Sequence, residues 1–306
     1  MNTGPKVFSG VIPAMITPCS RPGHPDAGMM EELSGILSER GCHGLFVLSS
    51  TGELPLLDEN QRRLMVKAAR KGADSDTVIY AGVSGFGIRQ TLRYIDNAEK
   101  DGADAAVVMA PFFTKISQRE LVEYFREIAD TSPLPVAIYN HFRMPSVLEP
   151  ETLQILAEHP AIVALKDTDI NLEKTLSRLE GLSGLPISFF QGREPFLYDS
   201  FSSGAEGCVC ALANIAPEAH RNLYEAVKAG HPDEAEEIQR QIDSLSRLFK
   251  LKESGESISG FVYTLLKVAE LRGWIDKPAH LLPGYSPDKE FDEKILRIYR
   301  ESGIAQ

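Results

Sequence analysis

The stretch Ala161-Ile-Val-Ala-Leu-Lys-Asp-Thr168 begins with a continuous apolar run, which is followed directly by a lysine. Apolar runs of this kind, without alternation, are typical of parallel strands that are covered on both faces. Similar runs lie along the chain at 11–16, 44–48, 78–83, 105–109, 136–139, 162–165, 187–190 and 207–211. They recur every roughly 20 to 35 residues, which is the size of a βα unit. Eight such units predict a closed (β/α)8 TIM barrel, an α/β fold.

Amphipathic segments between the runs supply the predicted helices. They lie at 27–40, 58–71, 88–101, 117–131, 149–159 and 171–180. Several begin at Asp, Ser or Asn, the residues that cap helix N-termini. After residue 217 the pattern is helical only, at 217–229, 232–252, 258–272 and 287–300. We therefore predict a catalytic barrel over residues 1–230 and a C-terminal helical extension, residues 231–306, packed on the barrel.

Composition limits the classes of partner. The 306 residues carry a net charge of −11, which argues against nucleic acid and anionic membrane surfaces, because both attract clustered Lys and Arg. Residues 1–10 lack the apolar core of a signal peptide, and no apolar stretch could span a bilayer. The four cysteines lack CxxC spacing, and the seven histidines form no HxH or HxxxH pair. We expect a cytoplasmic protein with reduced thiols and no metal.

Lys166 is the first candidate catalytic residue. An ammonium group is costly to desolvate, so lysine is depleted from buried strands, and a lysine at a strand end can present a nucleophilic neutral amine. From this segment alone, a side chain that reaches from the strand end to solvent is an equal explanation. In a barrel the chemistry lies at the C-terminal ends of the strands, so the residues beyond the other runs decide between the two.

Two other strand ends carry groups that fit a reactive amine. Ser49-Ser-Thr-Gly-Glu53 follows the second run, and its hydroxyls and turn amides are suited to holding a carboxylate. The fifth run ends in Tyr139-Asn140, which offers a phenol. Taken singly, the tyrosine could cap the core and the Ser-Thr-Gly turn could start a helix. Together with Lys166 they indicate Schiff-base chemistry on a keto acid.

The ordered set of motifs resembles the dihydrodipicolinate synthase and N-acetylneuraminate lyase family. The resemblance runs from about residue 8 to beyond residue 217. The motifs are Ser50-Thr-Gly-Glu53, Tyr139-Asn140, Leu165-Lys-Asp-Thr168 and Gly204-Ala-Glu-Gly207 with Asn214. The resemblance implies a homotetramer built as a dimer of dimers, with no metal or organic cofactor.

The resemblance also implies a role for each matching residue. Lys166 would form an imine with the keto carbon of pyruvate or another 2-keto acid, and Tyr139 would be the general acid/base. Ser50 and Thr51 would hold the pyruvyl carboxylate, with help from the amide of Thr51 or Gly52. The Thr51 hydroxyl would join Tyr139 in a proton relay.

Departures from the family pattern concern the substrate. Pro111-Phe-Phe-Thr114 lacks the tyrosine that members commonly place there, so Phe113 cannot extend the relay. Arg143 lies one position before the arginine that binds the second substrate's carboxylate in synthases, and it could equally be a solvated loop residue.

Other positions are similar to the lyase branch. Thr168 matches a position that contacts substrate hydroxyls in sugar-acid lyases. Glu194, which lies two residues after Gly192, stands where those enzymes often have an aspartate. We therefore predict that Thr168, Gly192 and Glu194 bind substrate. Arg193 beside Glu194 is unusual, and Ala211 replaces a serine of neuraminate lyases, which argues against neuraminate itself.

We therefore predict a Schiff-base, pyruvate-dependent aldolase or lyase that acts on a small 2-keto acid, such as a 2-keto-3-deoxy sugar acid. Alternatives on the same imine are 4-hydroxy-tetrahydrodipicolinate synthase, which condenses pyruvate with aspartate semialdehyde, and a keto-deoxy sugar acid dehydratase. A family member that binds a keto acid without turnover is an alternative of another class, because Phe113 could mark a decayed relay. A sugar-phosphate isomerase is weaker, since Gly192-Arg193 and Gly207 make a poor phosphate site.

Overall fold

The structure, a computed structural model, describes residues 8–283, 285 and 287–304. Residues 1–7, which include most of the segment where no signal peptide is expected, lie outside the described residues. So do residues 284, 286, 305 and 306 of the predicted extension.

Eight parallel strands form a barrel. The strands of the described chain are β1 Gly10–Pro13, β2 Cys19–Arg21, β3 His24–Pro25, β4 Gly44–Val47, β5 Val78–Gly82, β6 Ala105–Met109, β7 Val136–His141, β8 Ile162–Thr168, β9 Ser188–Gln191 and β10 Gly207–Cys210. Strands β4 to β10 pair in chain order, and β1 pairs with β10. The sheet closes between β1 and β4, where the Met15 amide donates to the Phe46 carbonyl at 2.9 Å. The predicted TIM barrel is confirmed, and β2 and β3 form a separate antiparallel hairpin.

Helices follow the barrel strands as predicted. They are α1 Ala27–Glu39, α2 Glu59–Gly72, α3 Ile88–Lys100, α4 Gln118–Thr131, α5 Pro150–Ala157, α6 Leu172–Gly181, α7 Leu197–Ser202, α8 Pro217–Ala229, α9 Pro232–Leu245, α10 Lys252–Glu256, α11 Ile258–Leu271 and α12 Lys289–Glu301. Asp58 and Ser117 form capping boxes, and Asn171 accepts from the Lys174 amide. These bonds satisfy N–H groups that the first helical turn leaves free. No helix among the described residues has the length and apolar character needed to cross a bilayer.

Some elements differ from the prediction. The segment 232–252, predicted as one helix, is α9, then a 3-10 turn over Ser246–Lys250, then α10. The turn brings Phe249 against Phe261, with ring centroids 4.6 Å apart. Neither α7 nor the β2–β3 hairpin was predicted, because such short elements carry no readable periodicity.

The barrel interior has its own apolar cluster, distinct from the layer between strands and helices. Side chains alternate along each strand, so every second residue points inward. The Tyr80 ring meets the rings of Phe8 and Phe190 edge to face, at centroid distances of 5.6 and 6.4 Å. Lys166 borders this packed interior.

Candidate active site

Lys166 and Tyr139 lie side by side on neighbouring strands. Strands β7 and β8 pair with Tyr139 opposite Lys166. Lys166 Nζ lies 4.0 Å from the centroid of the Tyr139 ring and 5.2 Å from that of Phe46. Only 6% of Lys166 and 3% of Tyr139 are exposed. The Lys166 side chain thus ends among aromatic rings instead of extending to the outer surface, which favours a catalytic role over the competing explanation.

The acid next to Lys166 in sequence is engaged elsewhere. The carboxylate of Asp167 accepts from Asn140 Nδ2 at 2.9 Å and from the Arg178 guanidinium at 3.0 Å. Burial raises the pKa of Asp167, and the Arg178 charge and the Asn140 hydrogen bond oppose that rise. Because Asp167 is bonded to Arg178 and Asn140, it does not neutralise Lys166 and instead anchors the end of β8 to helix α6.

The loop Ser49–Gly52 lies between two residues in an unfavourable backbone conformation. Leu48 and Glu53 have φ angles of 62° and 56°, in the left-handed region. This conformation costs a residue with a Cβ on the order of 1 kcal/mol or more, and it persists where the surroundings impose it. Gly82 leaves room for this conformation of Leu48, because a Cβ on residue 82 would lie 1.9 Å from the Leu48 carbonyl oxygen.

The loop brings a hydroxyl to Tyr139, and that hydroxyl belongs to Ser50. Ser50 Oγ lies 3.3 Å from the Tyr139 hydroxyl. The implied contact from Thr51 to Tyr139 has no counterpart in the described part of the chain, although Thr51 lines the same cavity. The Gly52 amide donates to Ser49 Oγ at 3.1 Å. It is therefore not free to hold a carboxylate, which leaves the Thr51 amide as the candidate for that predicted role.

An open cavity of about 690 Å³ surrounds these groups. It is lined by the predicted residues Ser50, Thr51, Tyr139, Arg143, Lys166, Thr168, Gly192 and Glu194. The extension adds a further wall, made by Ser246, Phe249, Lys250, residues 254–258 and Phe261. The structure thus brings together every predicted site residue except Gly52. The wall from the extension was not predicted, because helical residues beyond the barrel carry no motif.

Three predicted binding residues have defined local surroundings. Gly192 packs against Thr168, since a Cβ on Gly192 would lie 2.0 Å from Thr168 Oγ1. Thr168 Oγ1 is buried without a hydrogen-bond partner among the described residues, so a substrate hydroxyl is a fitting partner. Glu194 Oε1 accepts from the amides of Ala211 and Leu212, at 3.0 and 3.1 Å. One of the two Glu194 oxygens is therefore already engaged.

His141 lines the cavity and was missed as a site residue. Its ring meets that of Tyr139 edge to face at 5.6 Å, and its Nδ1 accepts from the Arg143 amide at 3.1 Å. Burial, together with the charges of Lys166, Arg143 and Arg193, lowers the pKa of His141 to about 4. The ring is therefore neutral at pH 7 and carries its proton on Nε2. Side chains alternate along a strand, so the residue two positions after Tyr139 faces the same side as Tyr139. This alternation could have identified His141 as a site residue.

The described residues contain no group of three or more His, Cys, Asp or Glu side chains placed to hold a metal ion. The four cysteines are buried and unbonded. The cavity offers a lysine amine, a phenol, hydroxyls and the imidazole of His141 as groups that can react or transfer protons. These groups are suited to covalent amine catalysis with proton transfer.

The fold and the comparison with known proteins define an enzyme, a lyase of the class I aldolase type. The chain belongs to the dihydrodipicolinate synthetase family, whose sequence profile matches residues 7–301. The resemblance found in the motifs is thereby confirmed.

Relatives include both synthases and an aldolase. The chain is 34% identical to 4-hydroxy-tetrahydrodipicolinate synthase 1 of Streptomyces coelicolor over 235 residues, 76% of each chain. It is 28% identical over 287 residues, 92% of each chain, to the Escherichia coli K12 protein named "Putative 2-dehydro-3-deoxy-D-gluconate aldolase YagE". The crystal structure of YagE in complex with pyruvate matches with a TM-score of 0.89 at 26% identity, covering 97% of this chain and 99% of that one.

Proposed function

We propose that this enzyme is a Schiff-base aldolase that cleaves or forms a small 2-keto acid, such as a 2-keto-3-deoxy sugar acid, with pyruvate as the keto product. The observation that carries the proposal is the buried Lys166 amine, 4.0 Å from the centroid of the Tyr139 ring in the cavity. The pyruvate bound to YagE supports the choice of keto acid.

The proposed cleavage begins when Lys166 Nζ attacks the keto carbon and water leaves, which forms a protonated imine. Tyr139 gives its proton to the hydroxyl that leaves as water, and the resulting phenolate, with Ser50 Oγ 3.3 Å away, then accepts the proton of the C4 hydroxyl. The C3–C4 bond breaks, an aldehyde departs, and the bonding electrons pass to the imine to give an enamine. Protonation at C3 and hydrolysis then release pyruvate and restore the amine. Ser50 and the Thr51 amide hold the carboxylate throughout.

Borohydride reduction in the presence of pyruvate tests this proposal. We expect mass spectrometry to find a reduced pyruvyl adduct on the peptide that carries Lys166. Lys166→Met should abolish the adduct, whereas Lys174→Met, a change of an exposed helical lysine, should leave it. An unmodified Lys166 in protein that demonstrably binds pyruvate would refute imine formation.

Synthesis from aspartate semialdehyde is the second candidate, because the 34% identical relative is a synthase. Against it, Phe113 has no hydroxyl to extend the proton relay. Assays of pyruvate with aspartate semialdehyde and with sugar aldehydes separate the two. If aspartate semialdehyde were the one aldehyde of this panel that reacts with pyruvate, the enzyme would be assigned as the synthase and not as the aldolase. Loss of water without an aldehyde product would indicate the dehydratase, and imine formation without turnover would indicate a binding protein.

The proposal extends to the organisation of the protein. We propose that residues 1–230 form the catalytic barrel and that residues 231–306 pack on it and close one side of the cavity. The exposed rings of Phe86 and Phe113, with the partly buried ring of Phe112 beside Phe86, support a homotetramer built from dimers, since large exposed aromatic groups often mark interfaces. The four free cysteines support the cytosol as the working compartment, where thiols stay reduced.

A further inference from the structure

We infer that the substrate carries a second anionic group, a carboxylate or a phosphate, at the end remote from the keto carboxylate, and that Arg193 selects it. This inference rests on the proposed Schiff-base function and narrows its substrate class. The proposal concerns the distal end of the substrate alone. It does not change the roles of Lys166 and Tyr139.

The backbone of Arg193 is anchored at the cavity wall. Its amide donates to Gln191 Oε1 at 2.9 Å, and Gln191 Nε2 in turn donates to Ser200 Oγ at 2.7 Å. Gly192, which lies between Gln191 and Arg193, packs on Thr168 and the Asp167 carbonyl. The backbone of Arg193 therefore has little freedom, and its side chain lines the cavity. Such anchoring suits a recognition residue better than it suits a solvated loop residue.

The Arg193 side chain has an unmet need for an acceptor. Its Nε is buried and has no hydrogen-bond partner within the described chain. A buried N–H left unpaired costs about 1–3 kcal/mol, and more when the group is charged. A carboxylate or phosphate would pair with the planar guanidinium through two parallel hydrogen bonds. A neutral polyol end would leave that charge without a counterion.

The surrounding charges favour an anion. Arg143, Lys166 and Lys250 line the same cavity as Arg193. Of the two carboxylates in its wall, Glu194 is bonded to two backbone amides, and Glu256 lies 3.6 Å from Lys252. A chain with a net charge of −11 thus presents three cations besides the reactive amine of Lys166 against two carboxylates here. This local excess raises the concentration of anionic substrates in the cavity.

Arg193 is placed to contact the distal end of the substrate. It follows β9, whereas Ser50 and Thr51, which would hold the keto carboxylate, follow β4. In the closed barrel β10 and β1 lie between these two strands. The two anchors therefore border the cavity at different points around the barrel, and Lys166 on β8 lies next to the β9 end. A substrate with an anionic group at each end would satisfy both.

Imine trapping with matched 2-keto acids tests the inference without requiring carbon–carbon bond cleavage. We compare 2-oxoglutarate, which has a distal carboxylate, with 2-oxopentanoate, which has the same chain length and a neutral end. Half-saturation of trapping at Lys166 should need roughly 10-fold less 2-oxoglutarate or better, the size expected of a charged hydrogen-bonded pair. Glyceraldehyde 3-phosphate and glyceraldehyde, each condensed with pyruvate, form the phosphate arm.

Arg193 variants assign the effect to its residue. Arg193→Gln should remove the preference for the anionic member, Arg193→Lys should keep part of it, and Arg297→Gln, a change of an exposed arginine on α12, should leave it intact. Equal half-saturation for the matched acids together with equal turnover of the two aldehydes in the unaltered enzyme, or a full preference retained in Arg193→Gln, would overturn the inference. Pyruvate trapped on Lys166 in each variant shows that the site is folded. Its failure in the unaltered enzyme would refute the proposed function instead.

Discussion

Within the described chain, the Tyr139 hydroxyl has one side-chain hydrogen bond that bears on proton transfer, to the Ser50 hydroxyl at 3.3 Å. We expect Tyr139→Phe to lower kcat for aldol cleavage by about 10²- to 10⁴-fold, because the general base is lost. Ser50→Ala should have a smaller effect, since the phenol remains. Tyr124→Phe, which alters a buried tyrosine on α4, is the control. Steady-state kinetics on purified variants gives the answer, and an unaltered kcat in Tyr139→Phe would remove this residue from the mechanism.

Glu53 links the binding loop to stability. Burial raises its pKa from the ordinary value of 4.5 to about 7, against an opposing effect of the Leu281 backbone. Below pH 4.5 the carboxyl is mostly protonated in both the folded and the unfolded protein, so it has little effect on the free energy of unfolding. As the pH rises from 4.5 towards 7, the carboxyl ionises more readily in the unfolded protein, and the free energy of unfolding falls. The full cost is about 3 kcal/mol. Glu53→Gln should match the unaltered protein near pH 4.5 and exceed it in free energy of unfolding at pH 8, measured by denaturant titration. Equal stabilities at pH 8 would contradict the raised pKa.

Sequence could indicate which side chains share the cavity, because strand ends in a barrel converge. It could place Lys166, Tyr139 and Ser50 on one site. It could not show that the Gly52 amide is bonded to Ser49 Oγ, or that Glu194 is bonded to the amides of Ala211 and Leu212. Hydrogen bonds of this kind depend on loop geometry that local patterns do not encode.

At the scale of elements, strand β8 is tied to helix α6 by a buried ion pair. Arg178 bonds Asp167 at 3.0 Å and Asp169 at 2.8 Å. Arg178→Met should lower the free energy of unfolding by about 3 kcal/mol, because two buried acids lose their cation. Arg240→Met breaks exposed pairs with Glu236 and Glu237 and should cost under about 1 kcal/mol. Denaturant unfolding of both variants checks this, and similar small losses would show that the pair does not hold β8.

The barrel strands were predictable because double-sided burial makes them continuous apolar runs. The strand ends were less predictable, because β7 and β8 continue to His141 and Thr168 through polar residues such as Asn140 and Asp167, which are bonded to each other inside the protein. The 3-10 turn at Ser246–Lys250 was invisible because residues three apart share a face in both helix types. That turn decides how the extension meets the cavity, so the site wall contributed by the extension could not be predicted.

The whole molecule carries a negative net charge, whereas cationic side chains line the cavity. The net charge of −11 repels anions at long range, while Arg143, Arg193 and Lys250 attract them within the cavity. Salt screens both effects, but exposed charges are screened more than partly buried ones. Binding of an anionic keto acid should therefore depend on short-range pairing with these residues and less on steering by the overall field.

The exposed aromatic rings that follow β5 and β6 bear on how copies of the chain assemble. Phe113 is 90% exposed and Phe86 is 78% exposed, and the Phe86 ring lies 6.0 Å from that of Phe112. Exposed aromatic rings of this size are costly in water and are buried favourably against another copy. We expect sedimentation velocity to find a tetramer, and Phe86→Ser with Phe113→Ser to shift it to smaller species. Leu271→Ser, which alters an exposed leucine of α11, should leave the tetramer intact. A double variant that sediments like the unaltered protein would place the interface elsewhere on the barrel.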